Sequence, residues 1–265
     1  MKRICSVLFA AAFLFSSIAA AEDMTGKQVM EEQKKRHEVK SETTVDVMLL
    51  VDSKDRKETR TLKSYFKDLG GGETRTLVVF EEPAAVKGTA MLTWEHENGE
   101  SDQWLFLPSQ KKMQRIAQGS KKSYFMGTDL TYEDLEPEKM ENVTYTMLEP
   151  ETIDGSECYV IESVPSDKEK LKRSGYSKRT LWVRKDIFFT VKVEFYDQRG
   201  RLIKTQTAMD VENIGGTVYR AKKALMDNHK RKHKTLTAVR SDETNVDIDD
   251  EIFTERYLIS EKHVQ

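Results

Sequence analysis

Apolar positions recur at every second residue along most of the chain. In 43–51, Val45, Val47, Leu49 and Val51 are apolar while Asp46 and Asp52 mark the other face, the period of a strand with one buried side. A second strand carries Thr59, Thr61, Leu62, Tyr65 and Phe66 and ends at the turn Gly70-Gly71-Gly72. The pattern then predicts strands at 74–80 and 88–94, and at 102–108 and 112–117, which read as two sides of a tight connection through Pro108-Ser109-Gln110. After a break it resumes at 144–149, 157–164, 179–184, 188–196, 202–211, 217–225 and 235–241. Asp197-Gln198-Arg199-Gly200 and Asn213-Ile214-Gly215-Gly216 have the composition of hairpin turns. About eleven or twelve strands joined by short connections predict a mainly β, antiparallel meander that curls on itself.

Three segments depart from this period. Residues 25–39 read as a helix with Thr25 as its cap. Residues 119–140 lack alternation and form a long loop, with Thr128 or Asp129 placed to cap a helical turn. Residues 249–260 read either as a short closing helix or as an extended segment. A curved sheet with helical covers can enclose an apolar cavity or can be filled by its own side chains, and both give the same alternation. Trp104, Phe106, Val191, Val193 and Phe195 are therefore candidates for a cavity wall or for an ordinary core. Phe125, Met126, Leu130, Tyr132 and Leu135 gather in the non-strand loop, as either a lid or a loop pinned to the sheet. Arg115, just before that loop, is a candidate latch toward Asp129 or Asp134, and such a pair matters only if it is desolvated.

Residues 1–21 have the form of a secretory signal peptide, with Lys2 and Arg3, an apolar run, and Ala19-Ala20-Ala21 before Glu22. The reading divides the chain into that leader and one domain over 22–265, exported and soluble after cleavage near Ala21. The leader takes Cys5 with it, so Cys158 remains as a lone thiol inside the apolar run Cys158-Tyr159-Val160-Ile161, a core position. Without Lys2 and Arg3 the chain has 41 basic against 45 acidic residues, a balance that gives no general attraction to nucleic acid.

Candidate chemistry is sparse. His229 and His233 are four apart but sit among Lys230, Arg231 and Lys232 without the glutamate of a zinc-binding helix, so a solvated basic turn is the simpler reading. His37, His96 and His263 are scattered, and no Gly-x-Ser-x-Gly occurs. Pairs such as Asp129 and Glu133, or Glu133 and Asp134, are a weak signal for glycosidase carboxylates. No catalytic residue, metal ligand or cofactor is assigned.

Several blocks together resemble a known family. Gly70-Gly71-Gly72-Glu73-Thr74-Arg75-Thr76-Leu77-Val78-Val79-Phe80, Pro83, Gly88-Thr89-Ala90-Met91-Leu92 and Gln103-Trp104-Leu105-Phe106-Leu107-Pro108 resemble LolA-like outer-membrane lipoprotein-sorting proteins. More specific are Arg115-Ile116 and the block from Ser123 through Phe125-Met126-Gly127-Thr128-Asp129 to Glu133-Asp134-Leu135, where Thr128 stands in place of the usual serine. Phe253-Thr254-Glu255-Arg256-Tyr257-Leu258 is similar to the family's ending. The resemblance implies an incompletely closed antiparallel β-barrel covered by helices, with an apolar cavity for lipid or lipoprotein acyl chains crossing the periplasm toward the outer membrane. It also implies partners, an RND-type inner-membrane exporter and an outer-membrane acceptor. The alternative is a module of the same fold that senses envelope lipid and regulates a partner. An enzyme acting on lipid or glycan is the third reading.

Overall fold

The computed structural model describes residues 24–264; the signal-peptide reading of 1–21 lies outside the described residues. Helix α1 (Gly26–His37) opens it, capped by Thr25, whose hydroxyl accepts from the Gln28 N–H while the Gln28 side chain accepts from the Thr25 N–H. Strands β1 (Ser41–Val51), β2 (Lys57–Gly70), β3 (Glu73–Glu82), β4 (Ala90–Glu95), β5 (Asp102–Leu107) and β6 (Lys112–Arg115) follow as a meander. Residues 116–142 carry no strand of the sheet. Then come β7 (Val143–Ile153), β8 (Ser156–Pro165), the short helix α2 (Lys168–Arg173), β9 (Lys178–Arg184), β10 (Phe189–Tyr196), β11 (Leu202–Gly215), β12 (Val218–Asn228) and β13 (His233–Thr244). Helix α3 (Glu255–Ile259) follows a helical turn over Asp250–Phe253 and is followed by another over Lys262–Val264.

All thirteen strands form one antiparallel sheet, ordered β6-β5-β4-β3-β2-β1-β13-β12-β11-β10-β9-β8-β7. The two halves join through the pairing of β1 with β13, and β6 and β7 are left as edges. The sheet is thus an open one with two more strands than the eleven or so expected. β5 and β6, which look in the sequence like two arms of one connection, are both full members of the ladder.

Side-chain alternation divides the sheet into two faces. Following paired residues from strand to strand, one face carries Met48, Leu62, Phe80, Met91 and Leu105 in the first half and Phe195, Leu181 and Ile161 in the second. Helix α1 lies on this inner face, burying Val29 and Met30 against Ile161, Leu181, Val183 and Phe188. Its approach is close enough that a Cβ at Gly26 would sit 3.2 Å from Tyr145 and Ile161, which is why the first helical residue has no side chain. On the outer face, Leu77, Leu92, Trp104 and Phe106 are covered by Ile248, Phe253 and Leu258 of the C-terminal segment. Among the described residues no helix is long and apolar enough to cross a membrane.

Candidate functional site

The segment between β6 and β7 folds inward onto the first half of the sheet. Its tip is a tight loop: the Phe125 N–H donates to Leu130 O at 2.8 Å, the Thr128 N–H donates to Phe125 O at 2.9 Å, and Tyr124 bridges Thr131. Gly127 takes a left-handed φ of 81° at that tip, a conformation only glycine adopts without strain. The loop delivers Phe125 and Tyr132 into an apolar trough formed by Met48, Leu50, Leu62, Phe80, Met91 and Leu105. Phe125 is 2% exposed, its ring 5.6 Å from that of Phe80 and 5.7 Å from that of Tyr132. Met126, Leu130 and Leu135 pack around the same cluster, half-buried.

Polar bonds hold this plug, and most of their partners are distant in sequence. Asp129 is fully buried; its carboxylate accepts from the Thr235 hydroxyl at 2.8 Å and pairs with Arg231 at 3.2 Å and with His233. The Arg231 guanidinium also donates to Thr128 O, and Arg60 donates to Met126 O, both at 2.7 Å. Asp134 is buried with Lys204, and accepts from the Thr131 N–H at 2.6 Å and from the Tyr176 hydroxyl at 2.9 Å. Burial pulls the Lys204 ammonium below the ordinary lysine range and Asp134 opposes it. Burial pushes the Tyr176 phenol well above its ordinary value, and Asp134 adds to that shift. Glu133 and Glu138 both clasp Arg179, at 3.1 and 2.8 Å, and although burial works against the guanidinium's charge, these carboxylates hold it firmly protonated. Lys121 pairs with Glu136 at 2.5 Å.

The structure corrects several expected placements. Arg115 does not meet Asp129 or Asp134; it pairs opposite Trp104 in the sheet, which turns it to the outer face, where its exposed side chain joins Asp102. Trp104 and Phe106 are on that outer face too, against the C-terminal segment, while Gln103 and Leu105 face the plug. Val191 falls at a bulge between Thr190 and Lys192 and packs with Cys158, Val160 and Trp182, away from the inner face. Val193 and Phe195 do face inward, and Leu130 packs with them. His229 and His233 diverge, the first to the Thr205 hydroxyl and the second to Asp129. The trough walls Met48, Leu50, Leu62, Phe80, Met91 and Leu105 and the anchors Arg60, Lys204, Arg231 and Thr235 were not singled out by sequence. In β1 the alternation marks Val45, Val47, Leu49 and Val51, the half-buried face, and misses Met48 and Leu50 of the trough. The basic tip at 229–233 contained two of the residues that hold the plug.

Two clefts open beside these elements. One, of about 150 Å³, lies between the segment that follows β6 and strands β7–β9 and is lined mainly by charged residues, among them Lys121, Glu136, Lys139, Arg173 and Arg179. The other, of about 320 Å³, lies on the inner face beyond the plug and is lined by Glu42, Asp46, Phe66, Arg220, Lys222 and Asp242, among others. The apolar trough itself is filled by the plug.

Comparison with known proteins agrees with this architecture. A family model described only as that of an uncharacterized protein matches residues 72–260. No curated protein matches the chain. Among solved structures, a domain from Vibrio parahaemolyticus named for outer membrane lipoprotein sorting is 30% identical, with a TM-score of 0.83 over 88% of this chain and 98% of that one. A DUF1329 family protein from Desulfovibrio piger is 26% identical, with a TM-score of 0.82 over 88% of this chain and 97% of that one. A LolA superfamily protein from Nitrosomonas europaea shares the fold at 23% identity and a TM-score of 0.68, over 89% of this chain and 100% of that one. An open antiparallel sheet with helical cover, matched nearly end to end at 30% identity, places this chain in the family of that outer-membrane lipoprotein-sorting domain, on a LolA-like fold.

Proposed function

We propose that the protein is a periplasmic carrier that takes lipid or lipoprotein acyl chains into the trough now filled by its own plug, and passes them toward the outer membrane. The observation that carries this reading is the insertion of Phe125 and Tyr132, on a loop outside the sheet ladder, into an apolar trough of the sheet. A loop held in that way is a built-in competitor for an acyl chain. Withdrawing two buried aromatic side chains costs about 1.5–3 kcal/mol each, whereas each methylene of an entering chain gains about 0.8 kcal/mol. Roughly eight methylenes therefore offset the aromatic burial, and an ordinary acyl chain exceeds that with enough left to work against the polar anchors. Because the closed form competes, apparent affinity is the intrinsic affinity reduced by the open fraction, which keeps release feasible. An RND-type exporter on the inner membrane and an acceptor on the outer membrane are the partners this reading calls for. Binding and handing on require no bond to be made or broken, so the reading is of a carrier and not an enzyme.

The test is lipid occupancy and transfer. Mature protein purified from a periplasm without detergent should carry lipid near one-to-one by native mass spectrometry and should move acyl lipid between vesicles. Lipid held without transfer would favour the sensing module instead. A ligand-free mass with no uptake from vesicles would overturn both.

A further inference from the structure

The larger cleft, on the inner face, holds a carboxyl with no ion-pair partner among the described residues. Besides the Tyr65 phenol, five acidic or basic groups line it: Glu42, Asp46, Arg220, Lys222 and Asp242. Arg220 is taken by Glu42 at 2.9 Å and Lys222 by Asp242 at 2.6 Å. Asp46 remains, nine-tenths buried at 9% exposure, and its one hydrogen-bond partner among the described residues is the Thr44 hydroxyl at 3.0 Å. Fully buried Asp129, and Asp134 with its side chain buried, by contrast each have a cation. Burial raises the Asp46 carboxyl above its ordinary range, the Thr44 hydroxyl opposes this, and Glu42 and Asp242 push it further up. A buried carboxylate left without a counter-charge is costly, and a cation bound in the cleft would remove that cost.

The other lining groups narrow the choice of cation. Glu42 and Asp242 are already paired, so one carboxylate is left, too few for a metal cage, and the described residues contain no group of three metal-ligating side chains. Phe66 and Val239 give the cleft apolar wall beside that one carboxyl. This combination suits an ammonium attached to a partly apolar molecule. We propose that the cleft is a binding site for an organic ammonium group, presented as the amine of a phospholipid-type headgroup, with Asp46 as its counter-charge. The acyl part of that ligand rests on the carrier reading above, whereas the ammonium site stands on Asp46 alone.

The experiment compares short-chain phosphatidylethanolamine with phosphatidylglycerol of the same chain length, and with acyl-free phosphoethanolamine, on full mature protein and Asp46→Asn, by calorimetric titration and melting. Wild type should prefer the ethanolamine lipid at least about tenfold. Asp46→Asn should erase that preference while leaving phosphatidylglycerol affinity unchanged, and should melt higher than wild type without ligand. Asp46-dependent binding of phosphoethanolamine alone would uphold the site and assign it to a free amine. No preference in wild type, a preference that survives in Asp46→Asn, or a lower melting temperature for ligand-free Asp46→Asn would overturn the proposal, as would equal stabilisation by magnesium ions alone. If neither lipid binds, the carrier reading fails and the phosphoethanolamine arm still decides the ammonium site.

Discussion

Single residues on the inner face are set by charge pairing in a dry environment. Lys204 and Asp134 are exposed by only 1% and 3% at their side chains, so the pair is worth much less than the cost of breaking it. Asp134→Asn should destabilise the protein by about 3–5 kcal/mol, the cost of leaving the Lys204 ammonium buried without its partner. Adding Lys204→Met, which keeps a long apolar stem beside the Tyr176 and Phe195 rings, should recover most of that loss in urea unfolding. A double variant as unstable as Asp134→Asn would show that the Thr131 and Tyr176 bonds, and not the charge, are what matter. Arg115 is the opposite case. Its side chain is 66% exposed on the outer face, and Arg115→Leu should change stability by less than about 0.5 kcal/mol and leave lipid release untouched. No local pattern shows this difference. Asp129 meets its holders more than one hundred positions later, so the sequence supplies the carboxylates of the plug but not the cations that receive them.

At the scale of elements, strands were legible and the faces of some strands were not. β1 is a strand, as its period-two alternation predicts, but its buried side is that of Asp46, Met48 and Leu50, while Val45, Val47, Leu49 and Val51, which the alternation marks as the buried side, are only half-buried. β5 defeats the same logic because Trp104, Leu105 and Phe106 are apolar in succession. The sheet covers Leu105 with the plug and its neighbours with the C-terminal segment, so both faces are buried and alternation vanishes. In β10 one extra residue at the bulge reverses the direction of Val191 relative to Val193 and Phe195, a change that leaves no mark in composition. The loop at 119–140 is legible as an interruption carrying apolar residues; of its two readings the structure shows the loop pinned to the sheet, with Phe125 and Tyr132 in the trough, and the lid is what a substitution there tests. That gives a prediction with a definite sign. Phe125→Ala removes a side chain that only the closed loop buries, at a cost of about 3–5 kcal/mol to that state. Acyl-lipid affinity should therefore rise by at least about 100-fold while the sheet's circular dichroism is retained. Unchanged or weaker binding in an equilibrium titration would mean that the loop is a fixed part of the core.

For the whole molecule, the open sheet has two faces, and a histidine fastens a cover on each. At the end of α1, His37 Nδ1 accepts from the Tyr219 N–H at 3.1 Å, so its proton sits on Nε2 and points at Ile187 O and Phe188 O. Near the end of the C-terminal segment, His263 Nε2 meets Gly88 O at 2.8 Å and its Nδ1 is buried without a partner. Burial lowers both imidazoles below 6.5, with Arg36 and Arg220 adding to the effect at His37, and the backbone carbonyls opposing it. Glu32 pairs with Arg36 and Glu42 with Arg220, which leaves the ring flanked by two engaged guanidinium groups. A group whose folded pKa lies below its unfolded one binds more protons when unfolded, so stability falls as pH drops below about 6.5 and continues to fall through the folded value. Asp46 and Glu95, raised mainly by burial, act with the opposite sign, because acid relieves their charge. A comparison of wild type with His37→Gln cancels those terms. Between about pH 7.5 and about pH 5.0 the melting temperature of wild type should fall by more than that of His37→Gln, and amide exchange in α1 should accelerate before exchange in β1 and β13. Parallel melting curves for the two proteins across that range would mean that α1 is held by its apolar contacts with Ile161, Leu181 and Val183, and that His37 is a passive part of the joint.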